Sequence, residues 1–167
     1  MHVAGHGAPS PDTTRPDRPT AEQEARRGWM AVLARAGADE IAALLPAGDA
    51  LPRYSLLRGP EAGLVMVQGR AGGGGGAFNL GEMTVTRCTL RTDDGRVGHA
   101  YVAGREPRRA ELAALVDAMM QDPARRPALQ ADVIAALAAR QAESREREAR
   151  RAAATRVNFF TLSSMRG

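Results

Sequence analysis

The dipeptide Asp94-Gly95 constrains the fold of this chain more than any other short stretch. It sits between two runs rich in Thr, Val and Tyr, Met83–Thr92 and Val97–Ala103. An Asp-Gly pair between such runs predicts a two-residue hairpin, because glycine supplies the positive φ that the turn needs. On that register Leu90 faces His99 and Cys88 faces Tyr101. A second hairpin is expected upstream, from Arg53–Arg58 and Leu64–Arg70 around the loop Gly59-Pro60-Glu61-Ala62-Gly63. The sheet therefore has about four antiparallel strands.

On either side of the sheet the apolar period changes to that of a helix. Thr20-Ala-Glu-Gln23 has capping-box spacing and opens a helix striped by Trp29, Met30, Val32 and Leu33. It stops near Gly37, and Asp39 is placed to cap a short helix that Pro46 ends. Downstream, Leu112, Leu115, Val116, Met119 and Met120 share one stripe between Arg108 and Gln121, which Asp122-Pro123 breaks. A longer helix begins near Pro127 and carries Leu129, Val133, Ile134 and Leu137. Past Arg140 that stripe gives way to Glu143–Arg147 and Glu146–Arg150 pairs at i,i+4 spacing, the pattern of a solvated arm. The fold class is α+β, an antiparallel sheet flanked by helices with a long C-terminal helix and an extended tail. Three regions follow: a proline-rich leader over 1–19 expected to be disordered, the α+β domain over 20–142, and the charged arm with its tail over 143–167.

Much of the apolar content is alanine, and the aromatics are only Trp29, Tyr54, Phe78, Tyr101, Phe159 and Phe160. A core built this way is thin, since alanine buries little area, and a partner is expected to complete it. Every basic residue is arginine. The formal net charge is +4, of which six Arg against three Glu between Arg140 and Arg156 supply +3. That is a charged helix end rather than a basic face on the domain, which argues against nucleic-acid binding. Cys88 is the single cysteine, so no internal disulfide or cysteine-based zinc cluster can form. Without a signal-like or membrane-length apolar run, a cytoplasmic protein with no membrane contact is expected.

Three features could carry chemistry. The segment Arg70–Gly81 brings five consecutive glycines, Gly73 and Gly74 among them. Backbone N–H groups in such a run can approach a phosphate closely. No Gly-Lys-Ser/Thr and no helix start follow, so a simple connector is the competing reading. Arg87 and Arg91, four apart on one strand, project from one face, with Arg70 and Arg105 at strand ends. They could hold a polyanion such as a triphosphate, or pair with Glu82, Asp93 or Glu106. Finally, Arg156, Val157, Phe159 and Phe160 follow the charged arm, which favours docking onto another chain over folding back. Cys88 reads as a small half-buried hydrophobe rather than a nucleophile. No metal-ligand spacing and no catalytic residue can be assigned.

Taken in order, these segments resemble the PhnG family of the bacterial carbon–phosphorus lyase system. The residues that carry the resemblance are Arg27-Gly-Trp-Met-Ala-Val-Leu-Ala34, Glu61-Ala-Gly-Leu-Val65, and Arg70 through Glu82 into Thr86-Arg-Cys88. They continue in Gly95-Arg-Val-Gly98, Gly104-Arg-Glu106, Ala110-Glu-Leu-Ala113, Asp117-Ala118 and Ala154-Thr-Arg-Val-Asn-Phe-Phe-Thr161. The leader, the length of the glycine run and Ser163-Ser164 depart from the pattern. The resemblance implies a subunit, inactive alone, of a complex with PhnH, PhnI and PhnJ, two copies of each chain, and PhnL and PhnK associated. It implies a part in making ribose 1-methylphosphonate 5-triphosphate from magnesium-ATP and methylphosphonate, with release of adenine. No cofactor is expected on this chain alone.

Overall fold

A computed structural model of the chain describes residues 18–46, 50–70 and 75–154. The elements run α1 (Ala21–Leu33), α2 (Ala38–Leu44), β1 (Tyr54–Arg70), β2 (Ala77–Thr92), β3 (Val97–Ala103), α3 (Pro107–Met120), α4 (Arg126–Leu129), a π-helical turn (Gln130–Ala135) and α5 (Ala136–Ala154). The strands form one antiparallel sheet in the order β1-β2-β3. The fold is α+β as expected, with three strands rather than four.

The missing strand has a clear cause. Gly59–Gly63 is not a hairpin loop; β1 runs straight through it as one 17-residue strand against β2. The surplus residues are taken up by register shifts between Leu56 and Arg58 and between Arg58 and Glu61. Such bulges absorb extra residues without ending a strand. Pro60 is tolerated because β1 is an edge strand, where a missing N–H need not break a ladder.

The β2–β3 hairpin is present, one residue out of the expected register. Leu90 pairs with Gly98 and Cys88 with Ala100. Thr92 N–H donates to Arg96 C=O at 3.0 Å and Gly95 N–H to Thr92 C=O at 2.9 Å. The loop is thus three residues long, Asp93-Asp94-Gly95, with Gly95 at φ +87° closing it. This is the turn-plus-bulge solution, which uses the same glycine one position later in the loop.

At the N-terminus the capping box forms as its spacing predicts. Gln23 N–H donates to Thr20 Oγ1 at 3.2 Å, and Thr20 N–H to Gln23 Oε1 at 2.9 Å. The cap of α2 is not Asp39. Gly37 takes that position and its N–H donates to Glu40 Oε2 at 2.7 Å, while Asp39 pairs with Arg108 at 2.7 Å.

α3 is the centre of the core. Nine of its residues are buried, from Ala110 to Met120 and on every side of the helix. A helix apolar all round must be covered all round. The sheet covers one side, while α1, α2 and α4 contact others. Alanines 110, 113, 114 and 118 let the backbones come close. The closest approach is at Gly98 of β3, where a Cβ would lie 1.9 Å from Ala114 O. Only glycine fits there. Leu129, Val133, Ile134 and Leu137 are buried as their stripe predicts, and beyond Leu137 nothing in α5 is buried.

Among the described residues one carboxylate is wholly buried in this core. Asp117 of α3 is wholly buried, and its two oxygens accept four hydrogen bonds. Oδ1 takes Arg26 Nε at 3.1 Å and Trp29 Nε1 at 2.8 Å; Oδ2 takes Arg26 Nη2 at 2.7 Å and His99 N–H at 2.9 Å. The fork from Arg26 is the bidentate geometry in which guanidinium and carboxylate match best. A buried carboxylate is costly unless it is paired and hydrogen-bonded, and here α1 and β3 supply every donor. Replacing it as Asp117→Asn leaves Arg26 and Trp29 facing an amide that cannot accept from all of them. Urea unfolding should show a loss of about 3 kcal/mol; a loss within 0.5 kcal/mol, the range of ordinary surface changes, would mean that the cluster does not hold α1 to the sheet.

Candidate functional site

β3 ends opposite Val85, because Ala103 pairs with Val85. From there to their far ends β1 and β2 continue as a two-stranded ribbon, Leu64–Arg70 against Ala77–Thr84. The ribbon is apolar on both faces. Leu64 is 63% exposed and Leu80 62%, and Met66, Phe78 and Met83 are exposed with them. Leu80 lies at a register shift, and its side chain covers Gly69, where a Cβ would be 2.6 Å from Leu80 Cδ1. A lone two-stranded hairpin is marginal in water, and exposed apolar patches of this kind mark interaction sites. Covering a Leu, Met or Phe side chain fully contributes on the order of 1.5–3 kcal/mol, so five of them outweigh a few surface ion pairs. The sequence signal for this surface is the lack of alternation. Leu64-Val-Met-Val67 is apolar at four successive positions, the pattern of a strand covered on both sides.

The arginine set divides. Arg87 and Arg91 do lie on one face of β2, about 14 Å apart along the strand, too far to share one phosphate. Arg87 pairs across the sheet with Glu61, Nε to Oε1 at 2.6 Å, and Arg58 reaches the same oxygen at 2.7 Å. That carboxylate is none of the three the sequence suggested. It sits opposite Arg87 only because β1 does not turn at Gly59–Gly63. Arg91 is exposed, opposite Ser55, and makes no ion pair among the described residues. Arg105 follows β3. Arg70, opposite Ala77 at the ribbon's far end, lies about 34 Å from Arg87 along β2. Gly73 and Gly74, and Arg156, Val157, Phe159 and Phe160, lie outside the described residues. Among the described residues no group of three or more His, Cys, Asp or Glu is placed to hold a metal ion. No helix among them is long and apolar enough to cross a membrane.

Cys88 points into the core beside α3 and is 1% exposed. Burial, with a smaller contribution from the Glu111 charge, pushes its thiol up to about 11 from 9.0. A thiolate is the reactive form, so this cysteine is built to be inert. Above pH 9 the unfolded thiol releases its proton while the folded one keeps it. Its contribution to stability is therefore full below pH 9 and lost as pH rises through about 11. At pH 8 a disulfide reagent should label no thiol in the folded chain and one after denaturation. Labelling of the folded chain as fast as of the denatured one would refute the burial assignment.

The chain is similar to known proteins over most of its length. The model of the family described as phosphonate metabolism protein PhnG matches residues 24–167. The alpha-D-ribose 1-methylphosphonate 5-triphosphate synthase subunit PhnG of Rhizobium meliloti (strain 1021) is 47% identical over 137 residues, covering 82% of this chain and 87% of that protein. The family model's match spans the Asp117 cluster, the ribbon and the glycine run alike, and leaves residues 1–23 outside. The chain belongs to the PhnG family of phosphonate metabolism proteins.

Proposed function

We propose that this chain is a subunit of the synthase that makes ribose 1-methylphosphonate 5-triphosphate from magnesium-ATP and methylphosphonate. In that reaction a phosphonate oxygen bonds to the ribose C1′ and the bond from C1′ to adenine breaks. The relative from Rhizobium meliloti bears that synthase's name, and the observation that carries the role here is the uncovered ribbon. Five large apolar side chains on a two-stranded extension fit a chain that completes its surface inside an assembly. The partners would be PhnH, PhnI and PhnJ, with PhnK and PhnL associated and two copies of this chain, in the cytoplasm. The tail residues Arg156, Val157, Phe159 and Phe160 would dock within the same assembly.

Such chemistry needs positive groups for the triphosphate and phosphonate and help for the leaving base. Among the described residues Arg91 is best placed to lend a guanidinium, being exposed and outside the Arg58–Glu61–Arg87 cluster. Arg105 and Arg70, with the Gly73–Gly74 backbone, would reach other parts of a shared site only if a partner bridges them. The experiment is adenine release from ATP and methylphosphonate by the co-expressed complex. Omitting this chain should reduce release to background, and the chain alone should release none. Undiminished release without it would overturn the proposal. Arg91→Ala in an intact complex then separates a ligand contact, seen as lost turnover, from a purely structural subunit, seen as unchanged turnover.

A further inference from the structure

The face of the sheet turned away from α3 carries an ordered set of polar side chains. Residues directly opposite each other in an antiparallel pair share a face. The register therefore puts Arg91 with Val97, Thr89 with His99 and Arg87 with Tyr101 on that side. Cys88 and Leu90, which alternate with them on β2, are buried on the α3 side. A hairpin one residue out of register would place His99 opposite Leu90 on the core side, because such a slip changes the face of every side chain. As the strands actually pair, Arg91, His99 and Tyr101 are exposed and Thr89 is half-buried.

His99 is held at two points. Its backbone N–H donates to the buried Asp117 carboxylate at 2.9 Å, which fixes β3 to α3 there. An N–H aimed at Asp117 cannot also serve β2, so His99 and Thr89 form a non-hydrogen-bonded pair, the kind whose side chains lie closer. The ring accordingly meets Thr89 Oγ1 through Nδ1 at 3.1 Å. The bond made by one ring nitrogen settles the task left to the other. Here Nε2 is the free one, with no hydrogen-bond partner among the described residues.

Arg91 sits diagonally across from His99, at a separation of about 7–8 Å that a long side chain spans. Its guanidinium makes no ion pair among the described residues. Glu61, on the same face, is already held by Arg58 and Arg87 and lies opposite Arg87, four positions from Arg91. We propose that Arg91 and His99 form a site for one tetrahedral oxyanion, a phosphate or phosphonate group. The Arg91 fork takes two oxygens side by side, and His99 Nε2 donates to a third from the neighbouring strand. Donors converging from two strands suit three oxygens around a tetrahedron better than the two of a planar carboxylate. Arg87 and Arg91, about 14 Å apart, are too widely spaced for one such group; Arg91 and His99 are not. Thr89 is a positioning residue, acting through the ring. The proposal rests on the synthase-subunit reading, whose substrates bring both a phosphonate and a triphosphate.

The test is modification of His99 by diethyl pyrocarbonate in the co-expressed complex, followed by mass spectrometry of the peptide that carries it. Saturating methylphosphonate or tripolyphosphate, supplied one at a time, should slow that modification at least fivefold. Protection by the first assigns the site to the phosphonate, by the second to the triphosphate, and by both to a site that either group enters. Arg91→Ala should abolish the protection. His99→Gln should raise the KM of the matching substrate, methylphosphonate or ATP, at least tenfold while the subunits still co-purify. Protection by neither probe, protection that survives Arg91→Ala, or an unchanged KM would overturn the proposal. So would a His99 that a partner subunit shields before any probe is added. Failure of the subunit role would show differently, as undiminished adenine release when this chain is omitted.

Discussion

The buried carboxylate of Asp117 is the constraint on which the rest of the molecule depends. It lies on the helix at the centre of the core and has no partner on that helix. Two donors come from Arg26, one from Trp29, and one from the backbone of His99. Burying this charge without all four would cost more than a small alanine-rich core can offset. α1 is therefore fixed to α3 and to β3 by one group. One of these bonds, from His99 N–H, lies on the free edge of β3, and Arg26 also reaches Val97 C=O beside it at 3.4 Å. Arg126 adds to it from the other side, its guanidinium 5.5 Å from the centre of the Trp29 ring, a cation–π arrangement.

Around that point the chain divides into two kinds of structure. From Val85 onward one face of the sheet is covered by α3, with Gly98 admitting Ala114 and Ala118 at backbone distance. Before Val85 the sheet narrows to two strands with apolar residues on both faces and no helix to cover them. α5 repeats the theme, since past Leu137 it is a solvated helix with a Glu146–Arg150 pair at 3.7 Å. Both extensions leave the core. A chain that only had to fold would gain by shortening them; a chain that joins several others uses them as contact surface.

Local features were legible in the sequence, and long-range ones were not. Thr20 and Gln23 cap α1 through bonds three residues apart, and the stripe of the helix after Pro127 follows from its period, whereas α3, expected to bury one stripe, is buried on every side and leaves Leu112 of that stripe only partly covered. The Asp94-Gly95 turn is present, yet the loop holds Asp93 as well, which moves every β2–β3 pair by one. No single-residue signal separates those two loops, because glycine serves both. Gly59–Gly63 misleads for a different reason. Gly and Pro usually punctuate strands, but a long partner strand can carry an edge strand through them by bulges. Glu61 consequently faces Arg87, a pairing 26 residues apart that no local pattern announces. Asp117 and Trp29 are 88 apart. Only the apolar run Leu64–Val67, read for its lack of alternation, could have pointed to the uncovered ribbon.

Amide hydrogen exchange on the isolated chain and on the chain in its assembly tests this division most directly, because exchange reports the stability of each segment separately. The account predicts that α3, β3 and residues 85–92 of β2 are protected in both states. Residues 64–70 and 77–84 should exchange fast in the isolated chain and become protected only in the assembly. Equal and strong protection of the ribbon in the isolated chain would contradict the claim that its apolar faces await partners.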